Sequence, residues 1–410
     1  VPQPLSIAII GAGTAGASTA LLLQRQGHRV TVYEAVAEPR PVGAGITLQP
    51  SGMAVLAELG LLEPIVARGA VLSGLDAHTR SGRTVVSISY RQLHPQAFGL
   101  GVHRGLLFET LYNAVLAAGI EVITGCMIES LAPAGAHTRY VVDRGGRRHG
   151  PHDLVVIADG ARSELRDDTR LTRSETVYPW GALWFMGRNV SGHYPQRITQ
   201  VLRGTRQMIG FLPTGLGPAG NEPYTSLFWS FEIAREQEWR ERGLEAFKND
   251  VLDLSPLAAP ILDQIHSIDD ILLARYRDVV MFPWHAPGVV YIGDAAHATS
   301  PQLGQGANLA LVDATVLASC LAESGEVAVA LDAYSRRRRD SLRYYQFATR
   351  WLTPFFQSGV TPLGWLRDAF LGPSCCVPYV RNRMLRTMGG LETGFFSRPL
   401  PVPQLALPAS

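Results

Sequence analysis

The chain has 410 residues, is 46% hydrophobic and 18% charged, and carries a formal net charge of +2. That length supplies two or three domains with full cores, the composition is that of a soluble globular protein, and the charge gives no global case for nucleic acid. Cys126, Cys320, Cys375 and Cys376 show no metal-ligand spacing and no disulfide framework, so no metal is expected and a reducing cytoplasm fits.

The N-terminal stretch, residues 5–34, reads LSIAIIGAGTAGASTALLLQRQGHRVTVYE. An apolar run ends at Gly11, and Gly11, Gly13 and Gly16 form G-x-G-x-x-G. A helix over 17–26 and a strand over 29–33 follow, closing on Glu34, 18 positions after the last glycine. This is the order of a dinucleotide-binding βαβ unit. The first glycine permits the turn, the second lets backbone approach a pyrophosphate, and the third lets helix and strand pack closely. The helix N-terminus favours phosphate, and Glu34 suits a ribose diol. The first 24 residues carry no charge. They also lack a basic n-region, and their glycines and hydroxyls speak against a transmembrane segment.

A Gly/Pro-rich stretch follows, in which Gly43-Ala44-Gly45 suggests backbone passing close to something flat. Helical periodicity resumes over 53–62, and residues 84–89 read as a strand. Arg104 stands just before a helix carrying Leu106, Leu107, Leu111 and Val115. A buried strand over 154–157 runs into Asp159-Gly160 and a polar helix start. Between 177 and 234, aromatic and β-branched residues alternate with turn residues, as in a mostly antiparallel sheet. Its aromatics include Trp184, Phe211 and Trp229; core is their default, and lining of a substrate pocket is the sharper alternative. An amphipathic charged helix covers 235–252.

Residues 289–314, VVYIGDAAHATSPQLGQGANLALVDA, form a second informative stretch. A strand over 289–292 reaches Gly293 and a buried-looking Asp294. A loop with Pro301, Gly304 and Gly306 leads into a helix starting near Ala307. Strand end, acid, glycine loop and helix N-terminus together suit a flat polar ligand. His297 reads as a structural histidine bonded to the loop backbone. The run Arg336-Arg337-Arg338-Arg339 reads as a solvated helix face. The aromatic helical region beyond it is expected to pack across the first two domains, and the proline-rich tail from Ser397 to be extended.

Taken in order, Gly11-x-Gly13-x-x-Gly16 with Glu34, Asp159-Gly160, and Gly293-Asp294 with the 301–308 loop resemble the class A flavoprotein monooxygenases, the para-hydroxybenzoate hydroxylase and salicylate hydroxylase group. The resemblance spans residues 5–345, and GDAAH…P…GQGAN is its most specific part. It implies an α/β chain, α+β overall, in which a Rossmann-type FAD-binding domain (1–72, 98–175, 270–345) is interleaved with a mostly antiparallel substrate domain (73–97, 176–269), followed by C-terminal helices (346–410).

The resemblance further implies FAD as cofactor and NAD(P)H, either NADH or NADPH, as transient reductant. Gly11, Gly13, Thr14, Ala15 and Gly16 would hold the pyrophosphate, with Glu34 and Ala35 at the adenosine ribose. Arg104 would reach the FAD from its helix start, and Arg40 would stand near the flavin, as would Gly45. Asp159 and Gly160 match a motif tied to both FAD and the pyridine nucleotide. Gly293 and Asp294 would meet the ribityl chain. Gly304, Gly306, Ala307 and Asn308 would approach the pyrimidine edge, and Pro301 the oxygen-carrying edge. The implied reaction is hydroxylation of a phenolic or heteroaromatic small molecule with O2, through a flavin hydroperoxide. Trp184, Phe211 and Trp229 are the pocket candidates, and His193, Tyr194 and Tyr224 the nearest candidates for a substrate base. The competing readings are an epoxidase or Baeyer–Villiger tailoring enzyme, an oxygen-independent flavin reductase, and a non-catalytic flavoprotein partner. A monomer or homodimer is expected.

Overall fold

The structure, a computed structural model, describes residues 3–41, 43–189, 192–217 and 220–405. Its central sheet has six strands in the order His285–Ala286, Val289–Tyr291, Leu154–Ile157, Ser6–Ile10, Arg29–Tyr33, Glu121–Ile123. All neighbours are parallel except the first two strands. Ile9 lies opposite both Val156 and Val32, and Val156 opposite Val290. Ile7, Ile9, Val156 and Val290 are fully buried. The central strands Ser6–Ile10, Leu154–Ile157 and Val289–Tyr291 are buried almost throughout, because helix Thr14–Arg25 packs on the sheet from one side and strands Arg139–Asp143 and Arg148–His152 from the other.

The carboxyl ends of three adjacent strands matter most. Ser6–Ile10 runs into Gly11, Leu154–Ile157 into Asp159, and Val289–Tyr291 into Gly293. The chain leaves Ser6–Ile10 for a strand on one side and returns later on the other. This opens a crevice at the carboxyl ends, where open α/β sheets bind their ligands.

The second sheet has seven strands in the order Leu272–Met281, Thr172–Arg188, Pro223–Glu232, Gln207–Leu216, Ile198–Arg203, Gly74–Thr79, Thr84–Ser89. Only the pair Ile198–Arg203 and Gly74–Thr79 is parallel. Strand Leu272–Met281 pairs with Thr172–Arg188, so this sheet continues past the boundary expected at residue 270. Its two faces differ. Leu183, Phe211, Leu227 and Trp229 pack with Trp239, Phe247 and Val251 of helix Glu236–Leu254 on the outer face. The opposite, inner face turns toward the glycine loops. A three-stranded sheet (Gly45–Leu48, Gly99–His103, Ala70–Leu72) fills the junction. A Cβ on Gly101 would lie 1.9 Å from Pro213 O, so only glycine lets these strands meet.

Helices Val327–Phe356, Thr361–Cys376 and Pro378–Met388 close the fold. Phe356, Cys375 and Leu385 pack on Ala77, Leu202 and Met208 of the seven-stranded sheet. The expected packing of the C-terminal aromatics is therefore partial: Trp365, Phe370 and Tyr379 are 69%, 66% and 72% exposed. Helix Gly306–Glu323 is long and apolar enough to cross a membrane, yet ten of its side chains are buried, and it packs between Thr14–Arg25 and Val327–Phe356.

Candidate functional site: a dinucleotide cradle facing an aromatic sheet

Each glycine of the first motif has its own geometry. Gly11 has φ +99°, and a Cβ there would meet Ala158 O at 2.6 Å. A Cβ on Gly16 would meet Gly11 O at 1.9 Å, which is the close helix–strand contact. A Cβ on Gly13 would find no atom within 4 Å. Its missing side chain therefore opens space beside the helix end rather than relieving a protein contact. Helix Thr14–Arg25 has no side-chain cap at its start, so its first N–H groups face that space without partners. Glu34 closes the far side. Its Oε2 accepts from Ala12 N and its Oε1 from Val36 N, both at 2.9 Å, leaving lone pairs on each oxygen for a diol.

The second glycine loop is locked to the first. Gly293 has φ +59°, and a Cβ there would lie 2.9 Å from Ala15 Cβ. Asp294 is exposed rather than buried. A Cβ on Gly306 would stand 3.7 Å from its Oδ1, so the carboxylate projects beside the helix start. The buried acid is Asp313, with no exposure. It accepts from Gly293 N at 2.8 Å, His297 Nε2 at 2.6 Å and Arg338 Nε at 2.7 Å. Burial alone would raise the Asp313 carboxyl, but His297 and Arg338 overcome it and hold the group at about 2. His297 is thus structural, but its partner is this carboxylate and not the loop backbone.

Arg338 departs from the solvated-face reading. Arg336, Arg337 and Arg339 pair with surface acids, whereas Arg338 is 4% exposed. It lies at helical spacing from buried Tyr334 and Leu342, and that periodicity was available in the sequence. Asp313 carried a signal too: it is the only charged residue between Gly306 and Glu323.

The start of helix Gly306–Glu323 supplies a second set of N–H groups, on Gly306, Ala307 and Asn308. The Asn308 side chain is consumed by protein. Its Oδ1 accepts from Gln49 N at 2.8 Å, and its Nδ2 donates to Thr47 O and Gly304 O, both at 3.1 Å. Asn308 therefore fixes the helix start against strand Gly45–Leu48, and only its backbone is available to a ligand. Pro301 opens a short turn that ends at Gly304, φ +62°. Gln305 Nε2 ties the loop to Thr387 O and Met388 O.

Three other expected residues differ in placement. Arg104 is the first residue of helix Arg104–Ala117, packs beside Gly43, and leaves its guanidinium without a partner among the described residues. Arg40 is exposed and paired with Glu38 at 2.5 Å. Asp159 sits beside the Gly11 turn, where a Gly11 Cβ would be 3.1 Å from its Cα. Asp159 Oδ1 is buried without a hydrogen-bond partner, and burial raises the carboxyl to about 6. Ala35 follows Glu34 at the surface, and Gly160 has φ +88° with open space where a Cβ would point. An orphaned buried oxygen, a free arginine, two open helix starts and the gap at Gly13 all fit a dinucleotide laid from Glu34 to Asn308.

Strand register divides the pocket candidates. Gly45 N donates to Ser226 Oγ at 3.3 Å, and a Gly45 Cβ would touch Thr214 and Leu212. Ser226, Phe228, Leu212 and Thr214 therefore face the cradle. Trp184 pairs directly with Phe228 and shares that face, with ring centroids 5.0 Å apart. Phe211 and Trp229 project the other way into the outer core, and Trp229 lines a cavity of about 340 Å³ with Trp239 and Phe247 on that side. Tyr194 stacks on Phe211 there and donates to Leu257 O, while His193 is exposed. Tyr224 lies half-buried at the strand end, opposite Arg188. Phe228 is one of the aromatics of the 177–234 sheet though not one of the three pocket candidates, and sequence reasoning missed Tyr276, whose OH accepts from Trp184 Nε1 at 3.1 Å.

The hairpin of Arg139–Asp143 and Arg148–His152 also brings Asp143 and His149 beside Cys126, with ligand-type atoms all within 4.8 Å. The set is bonded to itself, His149 Nε2 to Asp143 Oδ2 at 2.8 Å, and lies behind Glu34, whose carbonyl accepts from Cys126 N at 2.9 Å.

A family model described as an FAD binding domain matches residues 5–345. A probable 2-heptyl-3-hydroxy-4(1H)-quinolone synthase of Rhodococcus erythropolis, AqdB2, is 27% identical over 82% of this chain and 85% of its own length. Kynurenine 3-monooxygenase of Xanthomonas campestris is 28% identical over 82% of this chain and 76% of its own. Among solved structures, HpxO of Klebsiella pneumoniae complexed with FAD superposes with a TM-score of 0.77 at 20% identity, covering 93% of this chain and 99% of that one. PqsL of Pseudomonas aeruginosa, in complex with 2-aminobenzoylacetate, gives 0.75 at 23%, covering 90% and 99%. At these identities the two structures establish a shared fold.

Proposed function

The chain belongs to the FAD binding domain family, and from that premise we propose that it is a monooxygenase that uses NAD(P)H and O2 to hydroxylate an aromatic small molecule. One observation carries the reading: the cradle at the carboxyl ends of the parallel strands faces half-buried Trp184 and Phe228 on the inner sheet.

Bound FAD supplies the redox chemistry, taking electrons from NAD(P)H and activating oxygen. The chain's own residues orient and shield. Gly11, Gly13 and the start of Thr14–Arg25 would hold the pyrophosphate, Glu34 the ribose, and Arg104 would add a positive charge. Asp294 is placed for the ribityl hydroxyls. The free N–H groups of Gly306, Ala307 and Asn308 would favour negative charge on a bound group through hydrogen bonds and the helix dipole. The aromatic face and the C-terminal helices keep water from the reacting atoms.

The reading is tested with the FAD-loaded protein and labelled oxygen gas. A substrate-stimulated oxidation of NADH or NADPH that places one labelled atom in the product supports it. Turnover that persists under strict anaerobiosis overturns it in favour of an oxygen-independent reductase.

A further inference from the structure

The central inward positions of the seven-stranded sheet carry no charge. Inward positions run Ala182, Trp184, Met186 on one strand and Ser226, Phe228, Ser230 on the next. The following strands give Met208, Gly210, Leu212 and then Gln200, Leu202. On the other flank stand Leu272, Ala274 and Tyr276. Charged residues of the inward parity lie toward the strand ends, where Glu232, beyond Ser230, stands 4.0 Å from Arg206. Arg197 pairs with Asp76, and Arg275 with Glu236, on the outer face, and Arg188 pairs with Glu222 at an exposed end. Asp278, where its strand passes under the C-terminal helix, is already neutralised by Arg350 at 2.7 Å.

A carboxylate brought onto these central positions would lose its water and find no cation beside it, which weakens its binding. A neutral ring loses nothing of that kind. Trp184 and Phe228 present tilted rings, 5.0 Å apart and 36° between planes, both half-buried while their outer-face neighbours are packed. Beside them Tyr276 OH accepts from Trp184 Nε1, so its own proton has no acceptor among the described residues. Burial raises this phenol above its ordinary range, which keeps the proton in place.

Resting on the proposed hydroxylase reading of this site, we infer that the substrate is an uncharged, planar, mostly apolar aromatic molecule. Its ring sits against Trp184 and Phe228, and a carbonyl or hydroxyl oxygen accepts from Tyr276, with no charged anchor. A matched pair separates this from recognition of an aromatic acid: 4-hydroxyquinoline and its 2-carboxylate.

Each compound is titrated anaerobically into the FAD-loaded protein, and binding is read from the flavin absorbance. The neutral ring binds at least about tenfold tighter than the acid, and Tyr276→Phe weakens it by about tenfold, the worth of one hydrogen bond. Trp184→Leu weakens it further, and the flavin spectrum without ligand reports whether each variant is folded. Equal or tighter binding of the carboxylate overturns the inference. So does the absence of any response to the neutral ring up to its solubility, or a Tyr276→Phe variant that binds it unchanged. Because binding is read without oxygen, a protein that binds the neutral ring but never oxygenates it sinks the hydroxylase reading alone. A hydroxylase that prefers acids sinks this inference alone.

Discussion

Arg338 Nε and Asp313 Oδ1 meet at 2.7 Å with both side chains nearly or fully buried, while the other Asp313 oxygen holds Gly293 N. A residue 45 positions later in the chain thereby fixes the turn that starts the second glycine loop. Replacing Arg338 by Met leaves a buried carboxylate with only His297 to oppose it. The expected loss is about 3–5 kcal/mol of stability, with weaker FAD retention, read by denaturant unfolding and by flavin release on gel filtration. The same pair sets an acid limit. Because the folded Asp313 group lies at about 2, below the ~3.9 of an unfolded aspartate, its contribution is complete above pH ~4 and is lost as pH falls toward 2.

Gly13 and Gly16 separate cofactor contact from packing. Gly13→Ala places a methyl in open space, so the fold is kept while FAD affinity drops at least about tenfold, through lost approach of the pyrophosphate. Gly16→Ala drives a methyl into Gly11 O, so the protein itself is destabilised. Thermal melts of the FAD-free protein against FAD titrations distinguish the two. Equal melting losses in both variants would contradict the assignment of Gly13 to the ligand.

Asp159 predicts a pH dependence of the opposite sign to Asp313. Burial raises its carboxyl to about 6, so the folded state favours the protonated form. That stabilisation is full below ~4 and disappears as pH rises through about 6. An anionic pyrophosphate nearby is held better while Asp159 is neutral. FAD affinity should therefore fall between pH 5 and pH 7 in the wild type and stay flat in Asp159→Asn, as measured by quenching of flavin fluorescence.

Phe211 and Trp184 test the register of the sheet. Phe211→Ala empties a packed outer-face position and costs about 3–5 kcal/mol of stability, with turnover per folded molecule unchanged. Trp184→Ala removes a half-buried ring from the inner face, with a small melting change and a raised KM. The reverse pattern would mean that the outer face lines the pocket.

The cradle was legible because its chemistry is local. Glycine spacing, strand ends and the acid at position 34 lie within short windows, and the parallel sheet places three such windows side by side. The substrate wall was less legible. Alternation over 177–234 announced strands, but which parity faces inward depends on Gly45 meeting Ser226 and Thr214, a contact across some 180 residues that no local pattern encodes. Asp294 and Asp313 exchanged burial for a similar reason. A loop acid next to a strand end looks buried, whereas Asp313, alone among apolar residues on a helix, needed Arg338 and His297 to make its burial tolerable.

The dependence of Gly293 on Asp313, and of Asp313 on Arg338, also has a consequence for biosynthesis. The ribosome makes the Gly11 turn first and the helix that carries Asp313 some 300 residues later. A nascent chain can shape the Gly11 turn early, whereas the Gly293 turn gains its Asp313–Arg338 support only once Arg338 has been made. Full retention of the cofactor is therefore expected only after Arg338 has been made, and a chain truncated before it is expected to lose flavin on gel filtration.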